Sequence, residues 1–253
     1  GAIACGTEVG YVNGDKGWLI YRGFNIFELC ELSTFEETSY LLIYGKLPTK
    51  TQLNEFEKKI KKHLKLDPFV KELLKKLDHK KTHAMSALRT AISLAGNLDS
   101  EGENITWEGE IENSIKLIGQ LSSATAAIGR LREGKEIIDP DESLTHSENF
   151  LYMLNGKKPD ALAARVFDMM LIMHADHGMN ASTFTSMVCN SSLSDMYSTV
   201  VSGIGSLKGP LHGGANEAVL KDLREIGSPD NVENWFKKAR AEKRKVNGFG
   251  HRV

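Results

Sequence analysis

The stretch Leu207-Lys208-Gly209-Pro210-Leu211-His212-Gly213-Gly214-Ala215-Asn216-Glu217 sets one imidazole among three glycines and a proline, directly ahead of an amphipathic run from Asn216 to Ile226. Proline fixes φ and removes a donor, while glycine allows backbone approaches that a Cβ forbids. The segment predicts a rigid corner that presents His212 at the mouth of a helix. The last residues repeat the style, framing His251 with glycine in Gly248-Phe249-Gly250-His251-Arg252-Val253. These two histidines are the first candidates for chemistry.

Upstream of the corner the pattern is helical almost throughout. Thr34-x-x-Glu37 and Thr49-x-x-Gln52 are capping boxes, Asp67-Pro68 starts a short helix, and Leu53, Phe56, Ile60 and Leu64 form one apolar stripe opposite lysines. From Ile111 to Leu131 runs a long helix rich in Ser, Ala and Gly. Such small residues permit close helix approach, either inside the core or at a subunit interface. Ser147 is expected to cap the next helix, and Pro159 to begin one that continues into His174-Ala175-Asp176-His177. Helices over 216–226 and from Val232 to about Lys245 close the chain. Only Val9–Val12 and Trp18–Tyr21, joined through Asn13-Gly14, suggest strands, as a hairpin. The fold class is therefore all-α, multihelical, with a short N-terminal β-hairpin. The glycines at 203–214 mark a hinge between a large domain and a smaller lobe.

Composition removes several function classes. The chain has 253 residues, 41% hydrophobic and 26% charged, enough for a substantial core. Its 32 basic and 33 acidic side chains leave a net charge of -1, which draws it to neither nucleic acid nor a membrane surface. Apolar runs such as Met169–Met173 are far too short to span a bilayer. Three widely spaced cysteines, Cys5, Cys30 and Cys189, fit reduced thiols in the cytoplasm. P-loop, dinucleotide-binding and nucleophile-elbow motifs are all missing.

His174 and His177 stand three apart, which on a helix would place them on one face and raise a metal site. No cysteine or Glu-x-x-His companion stands near, so no metal is expected. His177 precedes Gly178 and Asn180-Ala181-Ser182, a set of imidazole, amide and hydroxyl suited to a polar pocket. At a helix N-terminus the dipole disfavours imidazolium, so His212 is expected as a neutral donor able to hold a carbonyl or enolate oxygen.

The segments Gly209–Glu217, Gly248–Val253 and His174-Ala175-Asp176-His177-x-x-Asn180-Ala181-Ser182-Thr183 closely resemble citrate synthases, particularly the shorter prokaryotic type. Leu19-Ile20-Tyr21-Arg22-Gly23-Phe24, Tyr40-Leu41-Leu42-x-Tyr44-Gly45-x-Leu47-Pro48 and Phe150–Leu154 look like the same family's N-terminal half. The resemblance implies an all-α homodimer, with residues 1–208 as the large helical domain and 209–253 as the start of a small domain. It implies condensation of acetyl-CoA with oxaloacetate and hydrolysis of the citryl thioester, with acetyl-CoA as substrate and no further cofactor. By this similarity His212 would hold the thioester carbonyl and its enol, and His251 would polarise the oxaloacetate ketone. His177 would bind oxaloacetate, Asn180 and Ser182 would support the site with Ser182 orienting His212, and Gly248 and Gly250 would contribute to the CoA site.

Two departures stand out. In the family the carboxylate that removes the methyl proton, and the arginines that clamp oxaloacetate, lie beyond the position equivalent to Val253. Residues 1–253 alone are therefore expected to be inactive. Met187 stands where the family usually has arginine. Two alternatives fit the same residues: 2-methylcitrate synthase, which takes propionyl-CoA, and a non-catalytic helical scaffold or ligand-binding regulator.

Overall fold

Most helix starts, from α1 at Asn25 to α10 at Asp195, owe themselves to a side-chain oxygen that takes an orphan amide. The structure is a computed structural model and describes residues 5–248. It opens with strands β1 (Gly10–Asn13), β2 (Trp18–Tyr21) and β3 (Phe24–Asn25), followed by α1 (Ile26–Leu32), α2 (Phe35–Tyr44), α3 (Lys50–Lys62) and α4 (Pro68–Lys76). Then come α5 (Ala84–Leu98), α6 (Trp107–Arg132), α7 (His146–Asn155) and α8 (Ala161–Met173). The chain continues through α9 (Ala181–Asn190), α10 (Met196–Leu207), α11 (Gly214–Ile226), a short 3-10 turn at Pro229–Asn231 and α12 (Val232–Ala241). The all-α reading holds, with one addition: β3 pairs antiparallel with β2, so the hairpin grows into a three-stranded sheet of order β1-β2-β3.

Thr49 and Gln52 make both bonds of a capping box, and Thr34 caps α2, which Gly45 ends in the left-handed region at φ 76. Three expectations need correction. Thr145, not Ser147, caps α7 and forms its box with Glu148. Ser147 Oγ instead donates to Asp168 Oδ1 at 2.7 Å. Asp160, not Pro159, caps α8. That helix stops at Met173, with His174 as its C-cap, so His174 and His177 share no helical face.

The main core gathers α4, α5, α6 and α10 around Val70, Leu74, Ala91, Ile92, Ala124 and Tyr197. Here the small residues of α6 find their use. Ser123, Ala124, Ala126 and Ala127 are buried, and a Cβ on Gly119 would lie 2.9 Å from the carbonyl oxygens of Ile60 and His63. Close helix packing within the chain accounts for them. A second cluster joins the sheet to α1, α2 and α8 through Tyr21, Leu29, Leu41 and Ile172. Arg165 of α8 reinforces it by donating to the carbonyls of Cys30, Glu31 and Ser33 at the open end of α1, while its Nη1 pairs with Asp168 at 3.2 Å.

Two apolar faces stay open. On α8, Leu162, Val166, Met170 and Met173 follow helical spacing and are exposed, as are Phe184 and Val188 on α9. Among the described residues no helix is long and apolar enough to cross a membrane.

Candidate active site

The corner before α11 is tied by its own backbone. His212 N donates to Gly209 O at 3.0 Å, Gly214 N reaches the same carbonyl at 3.1 Å, and Ala215 N donates to His212 O at 2.9 Å. The glycines serve space rather than positive φ: Gly213 is an ordinary αR N-cap at φ -61. A Cβ there would sit 2.6 Å from Leu207 O, and one on Gly214 would sit 2.9 Å from Gly209 O. The turn closes only with hydrogen in those places. His212 is left half-buried, two residues before the helix begins.

Its ring meets a partner thirty positions away. Ser182 Oγ lies 2.7 Å from His212 Nε2. The hydroxyl is available because Asn180 does the capping of α9, accepting from Thr183 N at 3.0 Å. A hydroxyl that donates to Nε2 leaves the ring proton on Nδ1, as a donor aimed elsewhere. Asn180, Ser182, Thr183, Met187, Asn190 and His212 line one cavity of about 500 Å³. Ser182, Ser186 and Asn190 lie four apart on α9. That polar stripe on a helix with apolar neighbours was the sequence signal for the cavity wall, and sequence reasoning used only its first member. Met187 lies in this wall; nothing in the structure explains why it replaces the family's arginine.

His177 sits in the turn between α8 and α9, exposed, three residues before the Asn180 cap. Asp176 Oδ2 accepts from Gly178 N at 3.1 Å, and Gly178 takes φ 62. Gly248 has φ 88, and a Cβ there would lie 3.3 Å from Val219 Cγ2. Gly248 thus packs against α11 beside Val219, about one and a half turns into that helix. Asp222 anchors this return, taking Arg244 Nη2 and, at 3.0 Å, Asn247 Nδ2. Gly250 and His251 lie outside the described residues. The structure therefore brings Asn180, Ser182 and His212 together on one cavity and places His177 and Gly248 on adjoining segments. Among the described residues no cluster of three or more histidine, cysteine or carboxylate groups is placed to hold a metal.

A family model described as "Citrate synthase, C-terminal domain" matches residues 1–253. The chain belongs to the citrate synthase family. It is 46% identical over 253 residues to the citrate synthase of Deinococcus radiodurans, covering all of this chain and 67% of that protein. It is 41% identical over 258 residues to 2-methylcitrate synthase 2 of Corynebacterium glutamicum, covering all of this chain and 67% of that one. Among solved structures, the ternary complex of carboxymethyl coenzyme A and oxaloacetate with citrate synthase from Thermoplasma acidophilum superposes with a TM-score of 0.92 at 30% identity, over 99% of this chain and 66% of that one. The chain thus spans about two thirds of the length of these citrate synthase relatives.

Proposed function

We propose that the complete protein condenses acetyl-CoA with oxaloacetate and water to give citrate and CoA. The observation that carries this is the Ser182–His212 pair on its glycine corner, in a chain that matches the citrate synthase family from end to end. A fixed imidazole N–H holds the thioester carbonyl oxygen as the methyl carbon loses a proton, so negative charge develops against a placed donor. The enol carbon attacks the oxaloacetate ketone, and His251 donates to the oxygen that becomes the alkoxide. Water then cleaves the citryl thioester and releases CoA. His177 holds oxaloacetate, and backbone at Gly248 and Gly250 meets CoA. Residues 209–253 begin a small domain that closes on 1–208 and keeps water out until hydrolysis. The carboxylate that takes the methyl proton and the arginines that clamp oxaloacetate belong, on the family resemblance, to the remaining third of the relatives' length. Activity is expected of the complete protein, as a homodimer in the cytoplasm, with no metal or cofactor.

The test is citrate formation by the complete protein, with His212→Ala and His251→Ala beside it. Each variant is expected to lose turnover by about a thousandfold, on the scale of a removed oxyanion donor, while folding changes little. Calorimetric titration with oxaloacetate separates an enzyme from a scaffold: a complete protein that binds neither oxaloacetate nor CoA is no citrate synthase. The match to a 2-methylcitrate synthase at 41% identity supports a second reading, in which propionyl-CoA is the better substrate. One methylene in a pocket shifts preference about tenfold to two-hundredfold, so the ratio of kcat/KM for the two thioesters decides it.

A further inference from the structure

The sheet at the start of the chain reaches the His177 turn through the Tyr21 hydroxyl. Tyr21 ends β2 and is fully buried. Its phenol oxygen lies 3.0 Å from Ile172 O, 3.2 Å from Met173 O and 3.0 Å from Asp176 O, and Asp176 N donates back to it at 3.2 Å. A phenol has one hydrogen to give and can accept in return. The single proton is therefore shared among three carbonyls, while the Asp176 amide occupies the oxygen's accepting side. Burial pushes the Tyr21 pKa up to about 12, so the proton stays on.

Those partners frame one residue. Ile172 and Met173 end α8, and Asp176 immediately precedes His177. On the far side, Gly178 N is held by the Asp176 carboxylate. The same carboxylate fills the space beside Gly10 of β1, where a Cβ would lie 2.1 Å from Asp176 Oδ2. The strands thus meet the turn twice: Tyr21 bonds its backbone ahead of His177, and Gly10 leaves room for the carboxylate that holds Gly178 N beyond it. Phenylalanine at 21 would keep the ring and its packing and remove only the brace.

We propose that Tyr21 is a positioning residue for His177: its hydroxyl fixes the turn from which His177 meets the dicarboxylate substrate. This rests on the reading above that His177 binds oxaloacetate.

The test uses the complete protein and Tyr21→Phe. Oxaloacetate affinity by calorimetry should weaken about fivefold to tenfold, the size of one lost hydrogen bond, and KM for oxaloacetate should rise with it. The KM for acetyl-CoA and kcat should stay within about twofold. His177→Ala should weaken binding further, and the double variant should be no weaker than His177→Ala, because both changes act on one contact. Ile60→Val, in a separate buried cluster, should lower Tm without moving oxaloacetate affinity. If Tyr21→Phe fails to fold, Gly10→Ala reaches the same turn from β1 and should weaken oxaloacetate binding likewise. Wild-type affinity in Tyr21→Phe, or a loss that adds in full to that of His177→Ala, would overturn the positioning role and leave the proposed activity standing. A wild-type protein that binds no oxaloacetate would overturn both.

Discussion

Ser182 Oγ and His212 Nε2 stand 2.7 Å apart, and that contact ties the start of α9 to the corner before α11. Nothing in the local chain enforces it. Ser182 is one residue inside its helix, free of capping duty, and His212 is held by a turn in which the amides of residues 212, 214, 215 and 216 bond the carbonyls of Gly209, His212 and Gly213. The imidazole thus has one nitrogen anchored and one to offer.

Replacing Ser182 with alanine should let the ring rotate while its turn stays intact. Turnover of the complete protein should fall about tenfold, on the scale of one hydrogen bond worth of orientation, with Tm nearly unchanged. Steady-state rates of Ser182→Ala, His212→Ala and the double variant check this. A double variant much slower than His212→Ala would show Ser182 acting on something other than the ring.

At Gly213 the added methyl of alanine meets Leu207 O at 2.6 Å, inside any tolerated contact. The corner must open to admit it. Urea titration of Gly213→Ala should show a loss of about 1–3 kcal/mol, with turnover falling as His212 shifts. Equal stability and equal rate would mean that the corner tolerates what its spacing denies.

Burial gives His146 a pH signature. Its ring is almost wholly enclosed beside Phe35, Nδ1 has no partner, and burial pulls its pKa down to about 4. A base with a folded pKa below its unfolded value of about 6.5 is neutral in the fold and must charge on unfolding. Its contribution is therefore complete above about pH 6.5 and is lost as pH falls toward 4, on the order of 3 kcal/mol in all. Glu36, whose carboxylate accepts from His146 N at 2.9 Å, is pushed up by burial and acts with the opposite slope, contributing at low pH and losing that as pH rises. Comparing His146→Phe with wild type isolates the histidine. The variant should gain stability relative to wild type between pH 6.5 and 4, measured by denaturant midpoints, and a difference independent of pH would refute this.

Arg165 holds together α1, α8 and the buried Asp168. Arg165→Met keeps the stem and removes three carbonyl partners and the carboxylate's counter-charge. Its guanidinium is partly exposed, so solvent softens the effect, and a loss of about 2 kcal/mol is expected in chemical denaturation. A change under half that size would assign the α1 carbonyls to water instead.

Much of the fold was legible residue by residue. Thr49 with Gln52, Thr34, Asp67 ahead of Pro68 and Gly45 all act where their local chemistry says they should. Two of the errors have a common source. Thr145 and Ser147 are both capping residues, and Asp168 on another helix claims the second, leaving the cap to the first. The pattern of α8 runs on toward His177, yet His174 closes the helix, its Nδ1 2.7 Å from Met170 O, and Tyr21 takes the last helical carbonyls, of Ile172 and Met173. In each case a distant side chain settled a choice between locally equivalent options.

By itself the sequence determined the helices, most of their caps, the glycine corner around His212 and the family, because these depend on neighbours within about four residues and on motifs read in order. Only the tertiary structure decided which hydroxyl meets the imidazole and that a strand tyrosine braces the His177 turn. Those contacts span 30 and 155 positions. They exist only once whole helices have packed at particular angles, and no short stretch of chain encodes such an angle.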